Sequence, residues 1–159
     1  MSWSDSYKLS WSDFKDEPNP RVSAVAITAS GITFGFSIRQ ADEEVIDFST
    51  KVHAHFYPEQ SWYKAKQADV NVLAHEQLHF DITELFARKL RKEISRLKIS
   101  NEISKDLKKA HSNVLKELER FQDTYDSETN FSRNSEIQAK WEISVQDQLN
   151  NLSDFKYTN

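Results

Sequence analysis

The stretch that decides the fold is DVNVLAHEQLHFDITELFARKLRKEISRL, residues 69–97. It contains no glycine or proline and is dominated by residues that favour helices, so it predicts one long α-helix. On a helical wheel, His75, His79, Ile82 and Phe86 share a narrow sector with apolar neighbours on both sides. We therefore predict that both histidines face the protein core.

Within this helix, residues 75–79 read His-Glu-Gln-Leu-His, the HExxH pattern of many zinc hydrolases. Two imidazoles four residues apart lie one above the other on a helix and can share a cation. The glutamate between them is the usual general base, which takes a proton from the attacking water. The pattern predicts a Zn2+ site with His75 and His79 as ligands and Glu76 as the base. Alternatively, the two histidines pack in the core against carbonyl or carboxylate groups without a metal.

A catalytic zinc site usually has three protein ligands and leaves a fourth position for water. Glu84 comes nine residues after His75 and is predicted to point away from it, where it can pair with Arg88. The better candidates for the third ligand are Asp126 and Glu128. Both lie in a polar segment that we predict to connect the last two helices.

Tyr125 comes directly before these carboxylates and has two interpretations. Its hydroxyl could donate a hydrogen bond to an oxyanion that develops during catalysis, as preorganised donors do. It could equally be a core tyrosine whose hydroxyl lies at the rim of the core. The sequence leaves both open.

The first third of the chain has the texture of β-structure. β-branched and aromatic residues alternate with polar ones over residues 22–28, 32–38 and 45–56, which we predict to be three strands. Ser30-Gly31 is the predicted tight connection between the first two strands, and an antiparallel meander is the simplest assembly. His53 and His55 on the third strand would point to one face and could chelate a metal, but a surface or half-buried strand face is the favoured interpretation.

After Pro58 the texture becomes helical. Apolar residues at spacings of three and four mark a second helix over residues 103–125 and a third over about 135–152, with Asn134 as its N-cap. Strands followed by helices, without alternation, predict an α+β fold. We expect one domain over residues 1–159, mostly β over 1–57 and mostly α over 58–159. The order suits a zincin-like arrangement, in which a small sheet lies over the metal-bearing helix.

The composition argues against several classes of function. A formal net charge of −4 gives no electrostatic basis for binding nucleic acid, and the basic cluster after Phe86 is mixed with Glu93. No segment approaches the roughly 20 apolar residues that a membrane span requires. The absence of cysteine excludes thiolate ligands, thiol catalysis and disulfides. The first residues do not have the pattern of a secretory signal.

Several short motifs together resemble a bacterial domain family of unknown function whose members are described as secreted zinc-dependent proteases. The motifs are Trp11-Ser12-Asp13-Phe14-Lys15, Ser61-Trp62, His75-Glu76-Gln77-Leu78-His79-Phe80-Asp81-Ile82-Thr83-Glu84, and Tyr125-Asp126 with Thr129, Gln138 and Trp141. The resemblance implies His75 and His79 as zinc ligands, Glu76 as the base, and a secreted or periplasmic location.

The chain departs from the family pattern at two positions. Relatives often carry a histidine where this chain has Phe131, and some carry one at the position of Phe86. If those histidines are ligands, this chain has lost them and the site is weakened or inactive. Otherwise Asp126 or Glu128 supplies the third ligand, and the two phenylalanines line an apolar substrate pocket.

Two main hypotheses about function follow. In the first, the protein is a zinc metallopeptidase that hydrolyses a peptide, a protein or a related amide, with an extended substrate paired to a strand edge. In the second, it is a noncatalytic envelope or interaction domain whose metal site is structural or degenerate. A third interpretation is a helical scaffold in which the motif is accidental.

Overall fold

The computed structural model describes residues 1–157 and has an α+β architecture, which confirms the predicted fold class. Strands occupy the N-terminal part and three long helices follow. Three short 3-10 helices lie at Trp11–Asp13, Pro58–Gln60 and Ser153–Phe155. The main elements are β1 (Ala26–Ile27), β2 (Ser30–Ala41), β3 (Glu44–Phe56), β4 (Trp62–Tyr63), α1 (Val70–Ser95), α2 (Ile103–Glu128) and α3 (Ser135–Asn151).

The strands form two small antiparallel sheets, where we had predicted a single three-stranded meander. β2 and β3 form a long hairpin, from the pair Ser30↔Phe56 to the pair Ala41↔Glu44 at its tip. The first predicted strand is reduced to β1, which pairs with β4. The chain turns away from the hairpin at Ala29, whose amide donates to the hydroxyl of Ser61 at 2.9 Å. Residues 30–31, predicted as a turn, belong to β2.

The helix predicted from residues 69–97 is α1, and it lies at the centre of the molecule. Its first turn is capped by Asp69, whose carboxylate accepts from the Val72 amide at 2.9 Å. α1 packs against the β2–β3 hairpin, α2 and α3. Because it has neighbours on several sides, most of its second half is buried, including the fully enclosed Ile82, Leu85 and Leu90.

The two later helices use the apolar stripes seen in the sequence. On α2 the buried positions are Ile103, Leu107, Ala110, Val114, Leu118 and Tyr125, as the periodicity predicts. α2 continues to Glu128, three residues further than we had predicted, so Asp126 lies in its last turn. α3 is capped by Asn134, whose side chain accepts from the Ile137 amide at 3.1 Å. Within residues 1–157, no helix combines the length and apolarity needed to cross a bilayer.

Candidate metal centre

Three side chains meet where α1 crosses the end of α2. Nε2 of His75 lies 3.0 Å from Oδ1 of Asp126, and Nε2 of His79 lies 2.8 Å from the same oxygen. The two Nε2 atoms are 3.2 Å apart. We call this group the His-His-Asp cluster. It exists because the histidines share one face of α1, and α2 packs against that face with its last turn opposite them.

Gln122 fixes the orientation of one histidine. Its Oε1 accepts a hydrogen bond from Nδ1 of His79, and its Nε2 donates to the His79 carbonyl oxygen at 3.0 Å and to the Thr83 hydroxyl at 3.4 Å. The amide is thereby held with its oxygen toward the ring, so Nδ1 of His79 carries a proton. A neutral His79 would therefore present the lone pair of Nε2 to the carboxylate of Asp126.

Nε2 of His79 and Oδ1 of Asp126 are 2.8 Å apart, and their lone pairs repel each other unless a proton or a metal ion lies between them. Burial on its own lowers the pKa of His79, but the hydrogen bond to Asp126 and the charge of Glu76 outweigh it and raise that pKa above the ordinary 6.5. Burial raises the pKa of Asp126, but the hydrogen bonds from His75 and His79 dominate and hold it well below its usual range. The cluster is thus built to hold positive charge.

The donor set and its spacing fit a divalent metal. Two imidazoles and a carboxylate are ordinary ligands of catalytic zinc, and at zinc distances neighbouring tetrahedral donors are about 3.3 Å apart. The donor atoms here are separated by 2.8–3.2 Å and need to spread by only a few tenths of an ångström. A metal ion would therefore be held by His75, His79 and Asp126.

Glu76 lies beside the cluster and is almost fully buried, with 4% of its surface exposed. Its Oε2 has no hydrogen-bond partner in the described part of the chain, which is unusual for a buried carboxylate oxygen. Glu76 and the cluster line one cleft of about 240 Å³, together with residues 24–28, Val72 and residues 131–132. The predicted base and the predicted ligands therefore share one opening.

Tyr125 supports the cluster from the core side. Its ring stacks on His75 with centroids 4.5 Å apart, and its hydroxyl donates to the His75 carbonyl oxygen at 3.3 Å. Burial and the charge of Glu76 raise the pKa of Tyr125 well above 10, so the hydroxyl stays protonated. In this position Tyr125 orients His75, and its role toward an oxyanion stays a prediction.

The remaining candidate ligands lie away from the cluster. Glu128 is exposed and accepts a hydrogen bond from Nε1 of Trp141 at 2.8 Å. Two residues along a helix are about 200° apart around its axis, so Asp126 and Glu128 cannot both face α1. His53 and His55 lie on β3 with ring centroids 5.8 Å apart, and His53 lines a different cavity.

The two phenylalanines at which the chain departs from the family pattern, Phe86 and Phe131, lie in different environments. Phe86 is 2% exposed and packs edge-on against Phe121 in the interface between α1 and α2. It lies seven residues beyond His79, about 10 Å along the helix at 1.5 Å per residue, so a side chain there cannot complete the cluster. Phe131, in contrast, lines the cleft. Of the two phenylalanines predicted to line an apolar pocket, only Phe131 therefore does so at this site.

A family model matches most of the chain. The family is described as a bacterial protein of unknown function (DUF922), and the match covers residues 7–133. The chain belongs to this family. The match confirms the resemblance to a bacterial domain of unknown function. It takes in β1, α1, α2 and the turn after α2, and so the whole His-His-Asp cluster of this DUF922 protein. No curated protein and no solved structure matches the chain.

Two features of the DUF922 site are not among the residues singled out from the sequence. One is Gln122, which has no motif of its own but precedes Asp126 by four residues and so shares its helix face. The other is Thr28, whose hydroxyl donates to the Glu76 carbonyl oxygen at 3.2 Å and joins the β1 segment to α1. The spacing to Asp126 could have identified the first, and no local signal identifies the second.

Proposed function

We propose that this protein is a zinc-dependent metallopeptidase that hydrolyses a peptide or a related amide bond. The observation that carries the proposal is the meeting of His75, His79 and Asp126 in the wall of a cleft that Glu76 also lines. Metal ligands and a carboxylate base at one opening are the parts that metal-assisted hydrolysis requires. The resemblance to secreted proteases supports the proposal and extends it to a secreted or periplasmic location.

His75, His79 and Asp126 would hold the metal. A zinc ion bound there supplies Lewis acidity, which polarises a carbonyl and acidifies water. Two histidines and a carboxylate also suit ferrous iron, so the donor set alone does not select zinc. The buried carboxylate of Glu76 in the same cleft favours hydrolysis, because that reaction needs a base beside the attacking water.

Glu76 would move the protons of the reaction. Its Oε2 has no partner within the described residues and can accept a proton from water as the oxygen attacks the carbonyl carbon. The same carboxyl group can then give that proton to the leaving nitrogen, which regenerates the carboxylate. Gln122 and Tyr125 hold the two histidines in place throughout, because neither has to exchange its partner.

The β1 segment offers an edge for an extended substrate. The Val25 carbonyl oxygen accepts from the Lys64 amide at 2.8 Å, so Val25 bonds toward β4. Because hydrogen-bonding directions alternate in an antiparallel pair, the N–H and C=O groups of Ala26 point away from β4. Ala26 also lines the cleft, so an extended peptide can pair with this edge and bring its backbone past the cluster.

Metal content tests the ligand set. We expect about one zinc per chain by elemental analysis of protein purified without a histidine tag, and loss of that zinc in His75→Ala and Asp126→Ala. Glu128→Ala is the matched control, since it removes a nearby carboxylate that does not face the cluster. Retention of zinc in Asp126→Ala with loss in Glu128→Ala would overturn the assignment of the third ligand.

Hydrolysis tests the reaction. A peptide library incubated with the zinc-loaded protein should show cleavage, and Glu76→Gln should abolish it while zinc and thermal stability stay nearly unchanged. Zinc binding without any cleavage would favour the noncatalytic envelope or interaction domain. Absence of zinc even with excess metal would remove the basis of the proposal.

A further inference from the structure

The turn after α2 has a strained backbone. Asn130, Phe131 and Ser132 have φ values of 49°, 51° and 73°, so three successive residues other than glycine are left-handed. Each such residue costs roughly 1–2 kcal/mol, somewhat less for asparagine. Strain of this kind persists only where the surroundings enforce it, and it concentrates at functional sites.

The strained turn is fixed at both ends. The Phe131 amide donates to the Asp126 carbonyl oxygen at 2.9 Å, and the Asn130 amide donates to that of Ser127 at 3.2 Å, which is a Schellman motif. The Ser132 carbonyl oxygen accepts from Nδ2 of Asn71 in the first turn of α1 at 2.6 Å. The turn is thus tied to the residue that supplies the carboxylate ligand and to the start of the histidine-bearing helix.

This geometry holds an aromatic side chain in the open. In a Schellman motif, the second residue after the C-cap lies beside the third residue from the helix end. Here these residues are Phe131 and Asp126. Phe131 is 57% exposed and lines the cleft, although the protein buries most of its other phenylalanines in whole or in part. An exposed aromatic side chain held by a strained turn beside a reactive cluster is positioned to contact a ligand.

Apart from the cluster, the base, Thr28 and Ser132, the cleft around Phe131 is lined by apolar residues. Val25, Ile27 and Val72 line it, and Ile27 is itself 41% exposed. The only charged side chains in its lining, histidines aside, are the carboxylates Glu76 and Asp126, and no lysine or arginine of the described chain is among the lining residues. Such a lining favours apolar side chains of a ligand.

We propose that Phe131 is a specificity-determining residue that packs against an apolar side chain of the bound peptide beside the bond to be cleaved. The inference rests on the proposed peptidase function and names its substrate class: extended peptides with a large apolar residue beside the cluster. Truncating Phe131 removes the contact without touching a ligand or the base.

Binding to the zinc-loaded Glu76→Gln protein tests this without requiring turnover. The probes are three synthetic peptides with identical flanks and a central leucine, alanine or glutamate, titrated by calorimetry. We expect the leucine peptide to bind about tenfold more tightly than the alanine peptide, as burial of a few apolar carbons allows. The glutamate peptide is the control for direct binding of a carboxylate to the metal, and its affinity should not depend on Phe131. Adding Phe131→Ala should erase the preference for leucine over alanine, and Phe131→Leu should keep most of it.

Two further variants control for trivial effects. Ile143→Ala removes an exposed apolar side chain on α3, 65% exposed and outside the cleft, and should change nothing. Phe131→Gly removes the same ring as alanine but suits the left-handed backbone, so it serves if the alanine variant loses its fold. Loss of the preference in either truncated variant supports the proposal.

The outcomes separate this inference from the proposed chemistry. Unchanged peptide ratios in both truncated variants would overturn the role of Phe131, and so would failure of all three peptides to bind. Binding that depends on Phe131, with no cleavage by the unmodified protein of the leucine peptide or of any peptide in the library, would keep Phe131 as a determinant of peptide binding and refute the peptidase. Cleavage that still prefers leucine over alanine after the loss of Phe131 would support the peptidase and overturn the role of Phe131.

Discussion

At the residue scale, the side chain behind His79 decides what the ring can bind. Gln122 accepts from Nδ1 and leaves Nε2 facing Asp126, so the imidazole is already in the tautomer that a metal requires. The same amide is anchored on the His79 carbonyl oxygen at 3.0 Å. Orientation of the ring therefore costs nothing further when a metal binds.

We expect Gln122→Leu to weaken zinc binding by about 10- to 100-fold, since outer partners of metal-ligating histidines contribute on that scale. The ring would lose its acceptor and could rotate or change tautomer. Competition with a chelating fluorescent indicator measures the affinity. Gln146→Leu, at an exposed position on α3, is the control and should bind zinc as the unmodified protein does. Equal affinities for the two variants would contradict the role given to Gln122.

The electrostatics of the metal-free cluster give a pH-dependent stability. The pKa of His79 is raised above 6.5, so its contribution is complete below that pH and is lost as pH rises through the raised value. The pKa of Asp126 is lowered below 3.8, so its contribution is present above that pH and is lost on acidification. The ion pair therefore stabilises the folded protein most between about pH 4 and pH 6.5.

Asp126→Asn tests this window. With chelator present, we expect the difference in free energy of unfolding between the unmodified protein and this variant to be largest inside the window and to shrink on both sides. Urea titrations at a series of pH values measure it. Glu128→Gln should show almost no difference at any pH, because Glu128 is exposed. A gap for Asp126→Asn that does not vary with pH would refute the pairing.

Local spacing was enough to predict part of the site. His75, Glu76 and His79 follow from a four-residue period that any helix imposes. The choice between Asp126 and Glu128 depends on where α2 ends, and helix ends are uncertain by one or two residues from sequence. Since α2 continues to Glu128, only one of the two carboxylates can face α1. Gln122 was missed because a supporting amide has no pattern apart from its ligand.

At the scale of elements, the β2–β3 hairpin turns through two residues that poorly suit the turn. Asp42 and Glu43 have φ values of 50° and 64°, the left-handed conformation of both central residues in a type I′ turn. Glycine is favoured at the second position, where glutamate is strained. This turn falls within residues 39–44, between the second and third predicted strands, although no glycine or asparagine there marks its central pair. The turn that was wrongly predicted is the one at Ser30-Gly31, between the first two strands.

Gly31 lies in β2, where the backbone does not require glycine. A Cβ atom built on it would lie 3.4 Å from the Tyr57 ring, which is an ordinary van der Waals contact, and its φ is not positive. A glycine next to a serine predicts a turn on statistical grounds, but here the pairing of Gly31 with His55 in the hairpin decides its conformation.

Glu43→Gly should stabilise the hairpin. Relief of the left-handed strain, less the added freedom of the unfolded chain, gives about 1 kcal/mol. For a chain of this size that corresponds to an increase in melting temperature of about 2–4 °C. Glu44→Gly, one residue further and inside β3, is the control and should destabilise instead. A lower melting temperature for Glu43→Gly would show that the turn carries no strain.

At the scale of the whole molecule, the order of strands and helices was predictable and the pairing of strands was not. Alternation of two and periodicity near 3.6 are local, so they assign elements. β1 pairs with β4 at a sequence separation of at least 35 residues, as in the pair Ile27↔Trp62, and no local pattern encodes that choice. The small β1–β4 sheet nevertheless matters for function, since it brings residues 24–28 to the cleft.

A buried charge cluster joins α1 to α3 and to the β2–β3 hairpin, on the side of α1 away from the histidines. Glu84 and Arg88 are 2% and 3% exposed, and Oε1 of Glu84 accepts from Nε of Arg88 at 2.9 Å and from Nη1 of Arg91 at 3.0 Å. Arg88 donates to the Leu149 carbonyl oxygen on α3 at 2.7 Å, and Arg91 donates to that of Val52 on β3 at 2.9 Å. The predicted pairing of Glu84 with Arg88 is confirmed, and the pair lies in the core.

Loss of the Glu84 charge should therefore loosen the molecule without disturbing the metal centre. Glu84→Gln leaves the buried guanidinium of Arg88 and the half-buried one of Arg91 without their anion, which costs about 3–5 kcal/mol. At about 2–4 °C per kcal/mol the melting temperature should fall by on the order of 10 °C. Zinc affinity measured well below the melting temperature should stay unchanged, because Glu84 and the histidines lie on different faces of α1.

Glu93→Gln, at an exposed position on the same helix, is the control and should change neither the melting temperature nor the zinc affinity. A stable Glu84→Gln protein would show that hydrophobic packing alone joins the layers, and a parallel loss of zinc would show that the cluster and the metal centre are coupled through α1.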